Sequence, residues 1–252
     1  MYKELRPSTA TEGTASTPEM WAANFAASRK MTAARRLRMR MSSEWRLVRR
    51  TYAPGSAILD AGCGFGEWVN VLETGGFEAI GVDYSAELIN RLRSTYPGSR
   101  WLQSDVRSIP LPDAAVDGVI SWGVIEHDEA GPEAAWREFY RILKPRGGIV
   151  VTVPRDSQVM RASSEKQFPV QPHATFFQYF MTEGELASHV AHARFEIVET
   201  GTIAEGSLPL IAPAFYIRAS GLALRVANHA ASLLLKPIRK YRGMIYCIGH
   251  KR

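Results

Sequence analysis

The sequence predicts an α/β protein, a parallel sheet covered by helices on both faces. Three observations carry this reading. From Ser56 short apolar strands alternate with helical patterns. The stretch Ile58–Trp68 (ILDAGCGFGEW) runs from an apolar strand through an aspartate and three alternate glycines into a helix. A β-branched run, Gly147–Val153 (GGIVVTV), is bounded by Pro154 and reads as a strand buried on both faces.

The elements follow in order. Residues 1–17 read as a disordered tail and 18–252 as a single domain. A helical cap spans 18–50: Pro18 suits a first-turn position, and Ala33–Arg50 continues helically with Leu37, Met41, Trp45 and Val48 at three-to-four spacing. Strand Ala57–Asp60 precedes helix Glu67–Thr74, which Gly75-Gly76 ends. Strand Glu78–Asp83 and helix Ala86–Tyr96 follow, stopped by Pro97-Gly98. Ser99–Gln103 and Val116–Ser121 are further strands, and Pro132–Leu143 is a helix that ends before Pro145. Residues 155–181 lose the pattern but are rich in aromatics (Phe168, Phe176, Phe177, Tyr179 and Phe180), which suits a lid. Thr182-x-x-Glu185 is a capping box opening a helix to about His192. Strand Phe195–Thr200 and a helical insertion at 204–240 precede a last strand, Met244–Gly249.

Composition narrows the class. Apolar residues make up 46% and charged residues 22%, ordinary for a globular protein. No apolar run is long enough to span a bilayer, and the N-terminus lacks the apolar core of a secretory signal. The two cysteines, Cys63 and Cys247, form neither a disulfide framework nor a metal spacing, which suits a reducing, cytoplasmic setting. Net charge is +6 but unevenly spread. Arg29–Arg50 holds nine Lys/Arg against Glu44 alone, and eight Lys/Arg with no acid follow Glu205. The intervening body is therefore net acidic. The basic flanks read either as solvated helical faces or as contact surfaces for an anionic partner. The insertion helix Gly221–Leu235, apolar but for Arg225, Asn228, His229 and Ser232, could pack on the domain, meet lipid or form a homodimer surface.

Candidate chemistry gathers at strand ends. Gly62, Gly64 and Gly66 allow a sharp turn and a close backbone approach to a ligand, and the following helix N-terminus adds oriented amides. Asp83, roughly seventeen residues on, is placed to accept from both hydroxyls of a ribose, or else serves as a turn aspartate before Tyr84-Ser85. Asp105, in Ser104-Asp105-Val106, either accepts from an adenine amine, with Val106 and Tyr84 flanking the ring, or is itself a turn residue.

Four blocks then acquire a common meaning. Ile58–Gly66, Gly81–Ser85 (GVDYS), Ser104–Asp113 (SDVRSIPLPD) with Asp117–His127 (DGVISWGVIEH), and Ile142–Pro154 (ILKPRGGIVVTVP) together resemble the class I S-adenosylmethionine-dependent methyltransferases of small-molecule type. The resemblance covers about residues 56–154; the terminal MIYCIGHKR also fits the family's last strand. It implies a Rossmann-like doubly wound seven-stranded sheet, ordered 3-2-1-4-5-7-6 with the last strand antiparallel. It implies S-adenosylmethionine as cofactor and S-adenosylhomocysteine as product. Asp60 or the backbone near Gly62 would meet the cofactor's amine, and Trp122-Gly123 its methionyl portion. No metal is expected, since no histidine–acid cluster suggests a site.

Catalysis in such enzymes is mainly positioning. His127, flanked by Glu126 and Asp128, and His173, beside the aromatic segment, are candidate general bases, with a structural histidine as the competing reading at 127. The expected activity is methyl transfer to a small-molecule or lipid-linked acceptor, with oxygen favoured and an anionic or membrane-presented substrate suggested by the basic flanks. The alternatives are an RNA or protein methyltransferase using those flanks, or a cofactor-binding protein without catalysis.

Overall fold

A computed structural model of the protein describes residues 1–7, 31–167, 174–204 and 243–252. The helix expected from Pro18, His173, and the insertion beyond Ala204 lie outside these residues. Within them the chain opens with β1 (Tyr2–Pro7), α1 (Ala33–Arg40) and α2 (Ser43–Thr51). The alternation follows as β2 (Ala57–Ala61), α3 (Glu67–Thr74), β3 (Glu78–Asp83), α4 (Ala86–Thr95), β4 (Arg100–Gln103) and β5 (Val116–Trp122). After a 3-10 turn at Ile125–His127 come α5 (Glu133–Ile142), β6 (Leu143–Pro154), α6 (Gln158–Gln167) and β7 (Ala174–Phe180). The described chain closes with α7 (Glu183–His192), β8 (Phe195–Ala204) and β9 (Gly243–Lys251).

Seven strands form one sheet in the order β4-β3-β2-β5-β6-β9-β8. β9 is antiparallel to β6 and β8, while the pairings from β4 across to β6 are parallel. Counted within the sheet this is the expected 3-2-1-4-5-7-6. Successive residues of one strand enter opposite cores. Ile58 and Ile120 join Trp45 and Val48 of α2 with Val69 and Leu72 of α3. Leu59 and Val119 join Trp136 and Phe139 of α5 with Leu186 of α7. Covering both faces explains why these strands are apolar throughout rather than alternating. Each fully buried Leu, Ile or Phe contributes roughly 1.5–3 kcal/mol. On the α2 side Tyr52 is buried, and its hydroxyl donates to the Val119 carbonyl at 2.8 Å, fastening the cap to the sheet centre.

Three departures from the sequence reading have local causes. The helix expected over Ala33–Arg50 breaks at Met41-Ser42, because Ser42 is extended and its hydroxyl accepts from Trp45 N at 3.2 Å, capping α2. Residues 2–7, expected within a disordered tail, form β1, paired antiparallel with β7 from Tyr2 opposite Phe180 to Pro7 opposite Ala174. The partner lies over 160 residues away, so no local pattern announces it. The segment after Pro154 is likewise structured, as α6 and β7, rather than irregular.

The parallel run from β4 to β5 places the C-terminal ends of four strands at one edge. Open α/β sheets bind ligands there. The residues that follow β2, β3, β4 and β5 are the candidate site.

Candidate active site

The chain leaves β2 through three glycines in the left-handed region: Gly62, Gly64 and Gly66 at φ +79°, +49° and +69°. The two outer ones are also crowded. A Cβ on Gly62 would lie 2.5 Å from Val124 Cγ2, and one on Gly66 2.4 Å from the Trp101 ring. Only glycine avoids both the strain and the clash. Gly62 N and Cys63 N both donate to the Val82 carbonyl at 2.8 Å, and Gly66 leads into α3. The turn is thus pinned to the end of β3.

Asp83 completes that pin. One carboxylate oxygen accepts from Gly64 N at 3.1 Å and the other from Ser85 N at 3.0 Å. Ser85, not Asp83, caps α4, through a 3.3 Å bond from Leu88 N. Asp83 therefore orders the turn and at the same time lines a cavity. Burial raises its pKa against the lowering effect of those backbone donors.

The cavity encloses about 320 Å³. Gly62, Gly64, Asp83, Tyr84, Ser104, Asp105, Val106, Trp122, Gly123 and His127 all line it. Residues widely separated in sequence, and named from sequence alone, thus share one space. Two named residues stand apart from the wall. Gly66 serves the turn into α3 and the packing of Trp101. Asp60 is buried at the end of β2, where its Oδ2 has no hydrogen-bond partner among the described residues. Burial, and next the charge of Asp83, push its pKa up to about 8.

Sequence reasoning missed Arg107. It lines the cavity and grips Asp105, Nε lying 3.0 Å from each carboxylate oxygen and one terminal nitrogen 2.6 Å from Oδ2. Its other terminal nitrogen reaches Asp128 at 3.2 Å. Burial alone would raise the Asp105 pKa, but the bonds from Arg107 outweigh it and hold the carboxyl below its usual range. Both carboxylate oxygens are thus engaged, and Arg107 N donates as well, at 2.8 Å, in a turn. Asp105 thus sits in a turn and also lines the cavity. Ser104 likewise turns its hydroxyl to the Ser108 carbonyl, at 2.5 Å.

At the far wall Trp122 stacks obliquely on Trp68, centroids 5.2 Å apart. Its indole N–H has no partner among the described residues. His127 closes the 3-10 turn. Its Nδ1 lies 2.8 Å from the Phe177 carbonyl, and its ring meets the Phe177 ring edge-on at 5.0 Å. A carbonyl only accepts, so Nδ1 carries the proton, and in the neutral ring Nε2 is the basic nitrogen. Neighbouring Glu126 is buried, with Oε2 unpartnered among the described residues and its pKa pushed up to about 8 by burial. Glu126 was named from sequence only as a neighbour of His127. A carboxyl behind an apolar turn gives no periodic signal.

The set fits an adenosine-type ligand bearing a cationic amine. The turn admits close backbone approach, Asp83 can accept hydroxyls, and the orphaned Asp60 oxygen lacks the donor an ammonium would supply. Comparison with known proteins agrees. Residues 59–151 match the family model described as a methyltransferase domain. Over that stretch the chain is similar to S-adenosylmethionine-dependent methyltransferases. A Mycolicibacterium smegmatis protein named "probable S-adenosylmethionine-dependent methyltransferase" is 28% identical over 188 residues, 74% of this chain and 65% of that protein. The malonyl-[acyl-carrier protein] O-methyltransferase of Pectobacterium atrosepticum is 31% identical over 113 residues, 45% of this chain and 44% of its own. The chain therefore spans less than two thirds of either curated relative. Among solved structures, the Haloferax volcanii complex between the Trm112 methyltransferase activator and a methyltransferase superposes with a TM-score of 0.63 at 20% identity, covering 91% of this chain and 96% of that one. The shared fold is what that likeness establishes.

Among the described residues no group of three or more His, Cys, Asp and Glu could hold a metal ion, and no helix is long and apolar enough to cross a membrane.

Proposed function

We propose that this protein transfers a methyl group from S-adenosylmethionine to an oxygen of a small-molecule or lipid-linked acceptor. The observation that carries the reading is that His127 lines the same cavity as the glycine turn and Asp83, with Nδ1 committed to the Phe177 carbonyl.

The cofactor supplies a methyl already activated by a sulfonium. The residues bind and orient. Asp83 would accept the ribose hydroxyls, Tyr84 and Val106 would flank the base, and Trp122 with Gly123 would bound the methionyl end. The cofactor's ammonium would meet the backbone near Gly62, which lines the cavity, or Asp60 Oδ2 behind it. As the acceptor's oxygen forms its bond to the methyl carbon and the sulfur–carbon bond breaks, His127 takes the acceptor's proton at Nε2.

An oxygen acceptor draws support from the malonyl-[acyl-carrier protein] O-methyltransferases among the relatives. A lipid-linked, anionic acceptor draws support from α1, where Leu37 and, at the helix's C-cap, Met41 are 62% and 71% exposed one turn apart, on a helix with four arginines and no acid. The protein on this reading is cytoplasmic, with peripheral membrane contact. The same arginines are what favours the second reading, an RNA or protein methyltransferase. The test is a methyl-transfer assay across candidate lipid-linked and soluble acceptors, repeated with RNA. His127→Ala should cut turnover while leaving cofactor affinity nearly intact. Transfer to RNA alone, abolished by salt and indifferent to lipid vesicles, would overturn the acceptor class. Unchanged turnover in His127→Ala would remove the base.

A further inference from the structure

We propose that Glu4, in the amino-terminal strand, is a positioning residue for His127 and acts on it through β7. The inference rests on the reading of His127 as base for its consequence in turnover, though not for its geometry.

His127 is held from β7, by the Phe177 carbonyl at 2.8 Å and by the Phe177 ring. β7 is not part of the large sheet. Its ladder partner is β1, in a sheet of two strands, and an isolated two-stranded ribbon is marginal in water. Something must hold the ribbon in place. Lys3 reaches Glu129 at 2.5 Å, but that pair is 44% and 63% exposed and exposed pairs contribute little. Tyr2 stacks on Phe180 at 5.7 Å.

Glu4 differs from these in being buried, 3% exposed, and in joining three elements. Oε1 accepts from Ser164 Oγ of α6 at 2.6 Å, and Oε2 accepts from Gln178 Nε2 of β7 at 2.5 Å. It stands opposite Gln178 in the ladder, next to Phe177, at the point where the register shifts between Glu4 and Leu5. Removing the carboxylate leaves a buried donor, Ser164 Oγ, and a half-buried one, Gln178 Nε2, without this acceptor, beside the Phe177 carbonyl that holds the His127 ring. An acid in a six-residue strand, more than 120 positions from His127, thereby sets which ring nitrogen carries the proton.

The test is the ring nitrogen NMR of His127 across pH in the full chain. It needs no acceptor. Among the described residues, the titratable groups adjoining the ring on its own segment stay the same in every variant: Glu126, Asp128 with its partner Arg107, and Glu129. Wild type should show the Nδ1–H tautomer. Glu4→Ala should let the Nε2–H tautomer predominate and lower the ring's pKa, because the carbonyl that favours imidazolium is no longer held against it. Glu4→Gln, which keeps an acceptor for Ser164 and an amide for Gln178, should restore both. Cofactor affinity should not change in either variant. Should Glu4→Ala fail to fold, Ser164→Ala removes one of the two donors and should move the tautomer the same way by a smaller amount. A wild-type tautomer and titration in Glu4→Ala, or in Ser164→Ala where that is the variant that folds, would overturn the proposal. Once an acceptor is known, Glu4→Ala should lower kcat on the order of tenfold or more. Loss of the tautomer effect sinks Glu4's role, whereas undiminished turnover in His127→Gln sinks the base reading and leaves the geometry standing.

Discussion

Asp60 and Asp83 bury their carboxyl groups at the ends of adjacent parallel strands, and they are not equivalent. Asp83 accepts two backbone N–H groups, from Gly64 and Ser85, while the Asp60 Oδ2 accepts none among the described residues. One acid is built into the turn. The other is left with an unmet need for a donor, and burial beside a like charge raises its pKa to about 8. On the proposed function, that asymmetry divides the site into a part that is already ordered and a part that the cofactor's ammonium would complete.

A first prediction concerns pH and the ligand-free protein. Asp60 holds its proton more tightly when folded, to about pH 8, than when unfolded, to about pH 4. Its contribution to stability is therefore fully present below about pH 4, declines as pH rises, and is gone above about pH 8. Urea denaturation should show stability falling between pH 5 and 8 less steeply in Asp60→Asn than in wild type. Some slope should remain, since buried Glu126, also raised to about 8, has the same sign. Identical slopes in the two proteins would remove Asp60 from the account.

Binding should show the complementary effect. A cationic amine beside Asp60 favours the ionised carboxyl, so cofactor binding near pH 7 should release protons. Calorimetry in buffers of different ionisation enthalpy should register a release in wild type that shrinks in Asp60→Asn, and affinity should rise with pH up to about 8.

The turn itself can be tested sterically. Gly62→Ala combines a positive φ with a Cβ 2.5 Å from Val124 Cγ2, and should cost about 1–3 kcal/mol of stability. Adding Val124→Ala removes the clash but not the strain, so the double variant should recover part of the loss in thermal melts. Full additivity of the two losses would contradict the packing described.

Asp105 and Asp83 should differ in their worth to the cofactor. Arg107 already engages both Asp105 oxygens, so an adenine amine gains little there without displacing it. Asp105→Ala should weaken cofactor binding only a few-fold, about 1 kcal/mol or less.

Much of this was legible in the chain. The strand–helix alternation, the sheet order implied by the family resemblance and the cavity positions of Gly62, Asp83, Ser104, Trp122 and His127 rest on local signals: glycines that need positive φ, acids at strand ends, apolar strands covered on both faces. What was not legible is what depends on distant pairing. Tyr2–Pro7 reads as polar tail because its partner strand is remote. Arg107 reads as a loop arginine until Asp105 and Asp128 are seen on either side of it. The break at Ser42 was readable in principle, since Ser42 with Ser43 offers a cap, but the apolar spacing across it masked the signal.

The central claim is that the glycine turn and Asp83 hold S-adenosylmethionine. The direct measurement is titration calorimetry of S-adenosylmethionine and S-adenosylhomocysteine against wild type and Asp83→Ala, each first shown to melt cooperatively. Wild type should bind both, and Asp83→Ala should bind each roughly a hundredfold more weakly, on the order of 3 kcal/mol for losing hydrogen bonds to a charged acceptor. Near wild-type affinity in Asp83→Ala would contradict the account.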